Sequence, residues 1–117
     1  MKGDVVMTMQ EYLQEIRTYI DVEKAEQYDG FIAIQITLTK EPEGMFYIEL
    51  KDHHLSIEPY DYYDRNAALT IAPDTLRNIL KRRLDPVIAF TTGKLKIDGD
   101  PGKVLELLKY TKSKLKK

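Results

Sequence analysis

The sequence predicts an α+β domain in which helices pack on a sheet, and two observations predict it. Hydrophobic spacing changes from a helical period to strict alternation at Phe31. After the last alternating run of the first half, three prolines stand where helices can begin.

Thr8 followed by Glu11 fits a capping box, in which a hydroxyl and a carboxylate satisfy free backbone N–H groups. Met9, Tyr12, Leu13, Ile16 and Ile20 then recur at helical spacing and give one buried stripe. Helix persists or restarts through Val22, Ala25 and Tyr28, and Asp29-Gly30 ends it. From Phe31, Ile32, Ile34, Ile36 and Leu38 alternate with Ala33, Gln35, Thr37 and Thr39, as a half-buried strand does. A turn at Glu41-Pro42-Glu43-Gly44 leads to a second strand with Phe46, Ile48 and Leu50 inward. Lys51-Asp52-His53 makes the next turn, and Leu55 and Ile57 mark a third strand. After the loop of residues 60–65, Ala67, Leu69 and Ile71 mark a fourth. Short links between these four strands predict an antiparallel meander.

Ala72-Pro73, Asp85-Pro86 and Asp100-Pro101 open three helices, because proline at the first helical position forfeits no hydrogen bond and a preceding Asp caps freed N–H groups. The first buries Leu76, Ile79 and Leu80. The second is short, carries Val87, Ile88, Ala89 and Phe90, and stops at Gly93. Lys94-Leu95-Lys96-Ile97 alternates as a fifth strand. The last helix is expected to carry Val104, Leu105, Leu107, Leu108 and Leu115 on one side, with lysines 103, 109, 112, 114, 116 and 117 around the rest. There are no repeats or linkers, so residues 1–117 are expected to form one domain.

Hydrophobic residues make up 43% and charged residues 32%, the balance of a soluble globular protein. The absence of cysteine excludes disulfides, thiol catalysis and thiolate metal sites, and suits a cytoplasmic protein. Residues 30–39 are the longest uncharged stretch, ten residues against the ~20 of a membrane-spanning helix. The first residues lead into no apolar run, so no export signal is expected. Net charge is −1, yet residues 1–64 carry 5 basic and 14 acidic side chains and residues 65–117 carry 13 and 5. Either the halves neutralise one another on folding, or part of the basic half faces an anionic partner.

Little in the sequence supports catalysis. His53-His54 is the only histidine pair, and adjacent strand residues point to opposite faces, which disfavours a shared metal. Asp98-Gly99-Asp100 lacks the other ligands of a calcium loop and is better explained by helix capping. No Gly-rich phosphate loop, nucleophile elbow or HExxH is present. The run Tyr60-Asp61-Tyr62-Tyr63-Asp64-Arg65 suits a ligand mouth, a protein interface, or tyrosines lying over the sheet edge. Arg82-Arg83 and the terminal lysines have no accompanying stacking aromatics, so no nucleic-acid partner is expected.

The run Leu84-Asp85-Pro86-Val87-Ile88-Ala89-Phe90-Thr91-Thr92-Gly93-Lys94-Leu95-Lys96-Ile97-Asp98-Gly99-Asp100 closely resembles the segment near the end of sterol carrier protein type 2 domains. Ala68-Leu69-Thr70-Ile71 with Asp74-Thr75-Leu76 is similar to that family's strand-to-helix step, and residues 45–52 look like its second strand. The resemblance covers about residues 9–110. It implies a five-stranded, mostly antiparallel sheet with helices on one face, enclosing an apolar tunnel for fatty acyl, sterol-like or isoprenoid lipids. It also implies a non-catalytic carrier that needs no cofactor or metal. Candidate tunnel-lining residues are Leu76, Leu80, Val87, Ile88, Phe90, Leu105 and Leu108. Two positions depart from the family: Arg82 stands where a small residue, often Gly, precedes the "K-L-D-P" run, and His53 where Gly follows "L-K-D".

Two alternatives remain. One is an interaction module of the same fold with no cargo. The other is an anionic-surface binder acting through a basic C-terminal helix, whose Lys112, Lys114, Lys116 and Lys117 would make transient contact with an anionic membrane.

Overall fold

A computed structural model describes residues 7–61 and 64–112. The elements run α1 (Met9–Thr18), α2 (Val22–Ala25), β1 (Phe31–Leu38), β2 (Gly44–Lys51), β3 (His54–Glu58), β4 (Ala67–Ile71), α3 (Pro73–Leu80), α4 (Pro86–Thr91), β5 (Leu95–Gly99) and α5 (Pro101–Leu108). The five strands form one sheet in the order β3-β2-β1-β4-β5.

Local chemistry sets most boundaries. Glu11 N–H donates to Thr8 Oγ1 at 3.1 Å and Thr8 N–H to Glu11 Oε1 at 2.9 Å, so the capping box starts α1 as expected. Asp85 and Asp100 cap α4 and α5, accepting from the N–H of Val87 and Gly102 at 2.8 Å each. Gly93 follows α4 at φ 82, a left-handed conformation that only glycine adopts at little cost.

β1, β2 and β3 form an antiparallel meander, with Ile34 opposite Ile48 and Leu50 opposite Leu55. The expected fourth strand of that meander is corrected. β4 crosses back and pairs in parallel with the free side of β1, Ile36 opposite Leu69, while β5 adds antiparallel to β4. Alternation decides which face of a strand is buried, not which strand lies beside it, so the period was right and the neighbour wrong. Asn66 makes the junction at β4. Its Oδ1 accepts from Ala33 N–H at 2.8 Å, its own N–H donates to Ala33 O at 2.7 Å, and its carbonyl accepts from Asp100 N–H at 3.0 Å.

One face of the sheet holds the core. Ile34, Ile36, Ile48, Leu69, Ile71 and Leu95 project from it and are all buried. Tyr12 of α1 meets Phe46 edge-on, centroids 6.2 Å apart, and donates its hydroxyl to Pro73 O at 2.9 Å, tying α1 to the start of α3. Arg77 spans the same seam with an ion pair to Glu15, which joins the acidic and basic halves.

The last helix is shorter than the leucine spacing suggested. α5 ends at Leu108; Thr111 then bridges to Ile20, and Lys112 N–H donates to Tyr19 O at 2.9 Å. Partners offered by the α1–α2 junction end the helix that the sequence alone would continue. Leu115 lies outside the described residues.

Candidate functional site

Three spaces meet on α5. The first lies between the sheet and α3 and α5, where Leu76, Ile79, Leu80, Val104, Leu107 and Leu108 face the apolar strands. It is a void of about 20 Å³, room for about one water molecule, so among the described residues the packed interior does not show the tunnel that the resemblance implies. The second is a wholly apolar slot of about 150 Å³ opening to solvent between α4, β5 and α5, lined by Val87, Phe90, Leu95, Ile97, Val104 and Leu105 together with Pro86 and Pro101. Leu95 and Val104 belong to both, so one layer of side chains separates interior from slot. The third is an open depression of about 540 Å³ on the far side of Pro86 and Leu105, where Arg82, Arg83 and Lys109 gather with Asp85 around Ile79 and Leu108.

Apolar side chains left in water mark the slot. Val87 is 56% exposed, Phe90 51% and Leu105 46%, a contiguous set on two short helices rather than scattered single residues. The helix period explains the arrangement within α4. Val87 and Phe90 are three residues apart and share the slot side, and Ala89 turns inward and is fully buried.

The candidate lining residues therefore divide. Leu76, Leu80 and Leu108 line the interior void; Val87, Phe90 and Leu105 line the slot. Ile88, grouped with its neighbours on sequence, is 53% exposed and lines neither space, because it points away from both the sheet and the slot. Of the candidate docking lysines, Lys112 is exposed beyond the end of α5 rather than on a helix, and Lys114, Lys116 and Lys117 lie outside the described residues. Val104, Leu95 and Ile97 were missed as lining. Alternation in the "K-L-K-I" strand already pointed Leu95 and Ile97 to one face, a signal that could have found them.

Elsewhere the polar groups are used structurally. Asp52 at φ 53 and His53 at φ 62 form the tight turn from β2 to β3. His53 Nδ1 lies 3.0 Å from Glu26 O, and Leu55 N–H donates to Glu26 Oε2 at 2.9 Å. Tyr60 is exposed, and its carbonyl accepts from Gln35 Nε2 at 3.3 Å; Tyr62 and Tyr63 lie outside the described residues. Among the described residues no group of three or more His, Cys, Asp or Glu side chains is placed to hold a metal ion. No helix among them is long and apolar enough to cross a membrane.

A five-stranded, mostly antiparallel sheet packed with helices around an aliphatic interior makes this an α+β fold, with an apolar slot open between two short helices. Residues 4–112 match the SCP-2 sterol transfer family, and the chain belongs to that family. The fold is shared with solved structures of low sequence identity. The stereoselective inverting sec-alkylsulfatase Pisa1 from Pseudomonas sp. matches at 19% identity and TM-score 0.75 over 92% of this chain, which spans 17% of the alkylsulfatase. The sterol carrier protein domain 2 of Helicoverpa armigera matches at 17% identity and TM-score 0.65, over 91% of this chain and 93% of that domain. Sterol carrier protein 2 from Yarrowia lipolytica, in its apo form, matches at 18% identity and TM-score 0.58, covering 86% and 89%. No curated protein matches by sequence.

Proposed function

We propose that this chain is a non-catalytic lipid-binding module that takes an apolar chain between its sheet and the helices α3, α4 and α5 and releases it unchanged. One observation carries the proposal: the interior void, lined by aliphatic side chains, is separated only by Leu95 and Val104 from an apolar slot that opens to solvent. Leu76, Leu80 and Leu108 would form the inner wall and Val87, Phe90 and Leu105 the mouth. Family membership supports the same cargo class, as do the sterol carrier proteins that share the fold. A cysteine-free chain suits a cytoplasmic carrier.

Cargo entry requires α5 to move. Void and slot together offer far less room than the roughly 300–1,000 Å³ of ordinary ligand pockets, so an acyl chain enters by leaning α5 away from the sheet. A chain burying ~400 Å² gains roughly 10 kcal/mol gross, and losses of freedom leave micromolar-range affinity, which suits release as well as capture.

Native mass spectrometry of freshly purified protein, followed by lipid extraction, tests the proposal. Adducts of lipid mass are expected. A clean spectrum together with no uptake of a fluorescent fatty acid would sink it. A second reading is favoured by the alkylsulfatase match: the same module as an apolar-substrate accessory to a catalytic unit. That reading expects alkyl-chain binding to be productive only when a catalytic partner is added.

A further inference from the structure

Four of the six large apolar side chains that stand exposed among the described residues gather in one place, Val87, Ile88 and Phe90 on α4 and Leu105 on α5. Gathering of this kind marks a contact surface, whereas single exposed residues do not. Val87, Phe90 and Leu105 line the slot, but Ile88 serves neither slot nor void and is still 53% exposed. Cargo burial therefore leaves Ile88 unexplained. The helix that carries it is firmly seated. Asp85 caps its start, Ala89 is buried beneath it, and Lys94 N–H donates to Ala89 O at 2.9 Å where the chain turns into β5.

The slot beside Ile88 holds about 150 Å³, the room of one aromatic ring or one branched aliphatic side chain. A socket for a single side chain next to an exposed isoleucine is the relief of a protein contact, in which one anchor fills a pocket and its neighbours pack around it. Socket and isoleucine lie within one turn of α4, about the 5–6 Å by which a helix spaces its i and i+4 side chains.

Charge selects the partner. Arg83 and Lys109 are exposed in the adjoining depression, and neither has an ion pair among the described residues. Asp85 is the one carboxylate lining that depression, and its Oδ1 is engaged by Val87 N–H; Glu106, beside Leu105, is paired with Lys103 at 3.4 Å. A second copy docked by the same patch would set cations against cations, which disfavours self-association. Carboxylates on a partner answer them.

We infer that α4 and α5 present a docking face for an acidic amphipathic helix of another protein. One apolar anchor fills the slot against Phe90 and Val104, a second packs on Ile88, and flanking carboxylates meet Arg83 and Lys109. This face stands whether or not the interior takes up cargo.

Fluorescence anisotropy of the full chain with a synthetic amphipathic helix, leucines at i, i+3, i+4 and i+7 and glutamates on its flanks, tests the assignment. The same peptide with lysine for glutamate, and vesicles of phosphatidylcholine and phosphatidylglycerol, run beside it. The acidic peptide is expected to bind about tenfold more tightly than the lysine peptide at low salt, with the gap closing as salt rises. I88D should weaken it about tenfold and leave uptake of a fluorescent fatty acid unchanged, and R83E/K109E should turn the preference towards the lysine peptide. Equal affinity for the two peptides, binding indifferent to I88D, or no binding of either overturns the docking face. Sedimentation with the vesicles that I88D abolishes, without peptide binding, overturns it in favour of a bilayer. Loss of fatty-acid uptake alone concerns the carrier reading and not this face.

Discussion

Arg82 clasps Thr111. Its Nε donates to Thr111 Oγ1 at 2.9 Å and its Nη2 to Thr111 O at 3.0 Å, from a backbone held at φ 62. Thr111 is buried, and the chain around it is laced to the α1–α2 junction, Asp21 N–H donating to Tyr110 O at 2.7 Å and Lys112 N–H to Tyr19 O at 2.9 Å. The clasp therefore joins the α3–α4 turn, the segment after α5 and the end of α1, and so bears on where α5 ends.

Replacing Arg82 with Gly separates backbone strain from clasp. The left-handed turn would relax, a gain of about 1 kcal/mol, while two side-chain hydrogen bonds would be lost at about 0.5–1.5 kcal/mol each. Global stability is expected to change by less than about 2 kcal/mol in urea unfolding. Hydrogen exchange at the amides of Asp21 and Lys112 should nevertheless quicken about tenfold, because the local clasp is gone. Unchanged exchange at both amides would mean that Arg82 holds nothing there.

Tyr12→Phe isolates the link between α1 and α3. Tyr12 is fully buried, and burial pushes its phenol well above the usual tyrosine range. Removing its hydroxyl leaves Pro73 O without that donor, at an expected cost of about 1–3 kcal/mol. The edge-on contact with Phe46 is kept, so near-ultraviolet circular dichroism should change little while the urea midpoint falls. A midpoint within error of the parent would show that the bond contributes nothing net.

Much of this architecture was legible because it rests on local rules. The capping box of Thr8 and Glu11, the helix starts at Pro73, Pro86 and Pro101, and the stop at Gly93 are each settled by neighbours within a few residues. Both departures from the family's glycines, Arg82 and His53, fall on left-handed positions, so the turns keep their shape with other residues in them. What the sequence concealed depends on distant partners. The parallel pairing of β4 with β1 and the end of α5 at Leu108 are fixed by chain segments tens of residues away. The candidate site was legible only as a set of apolar residues on α3, α4 and α5, most of which line one of two spaces. Its division into void, slot and cationic rim was not, because it depends on how two short helices tilt.

Glu15 makes stability depend on acid. Arg77 donates from Nε to Glu15 Oε2 at 2.7 Å and from Nη2 to Oε1 at 2.9 Å, and Tyr19 adds its hydroxyl. The Arg77 hydrogen bonds are the main cause that holds the Glu15 carboxyl below its ordinary 4.5, and desolvation opposes them. Desolvation, with the Glu15 bond behind it, pushes the Tyr19 phenol up to about 12. A carboxyl depressed in the folded state stabilises above its unfolded value and loses that contribution as pH falls through the folded one. Glu15→Gln should thus cost roughly 1–2 kcal/mol at neutral pH, and the parent and variant should converge below the folded-state value. Parallel stability curves down to strong acid would contradict this assignment.

Two left-handed glycines should behave unequally when a methyl group is added. Gly93 lies at φ 82, and a Cβ there would meet no atom within 4 Å. Gly93→Ala should therefore cost only the backbone term, about 1 kcal/mol. Gly99 lies at φ 112 in β5, where a Cβ would fall 2.6 Å from Asn66 O and 2.8 Å from Ala67 Cα. Those atoms belong to the junction that joins β1, β4 and the start of α5, through the bonds of Asn66 to Ala33 and Asp100. Backbone there cannot retreat without breaking the junction, so overpacking adds to the same backbone term and Gly99→Ala should cost roughly 3 kcal/mol or more. Urea unfolding of both variants beside the parent measures the difference. Equal losses would mean that β5 yields at Gly99, and that the close approach of its backbone to Asn66 is dispensable.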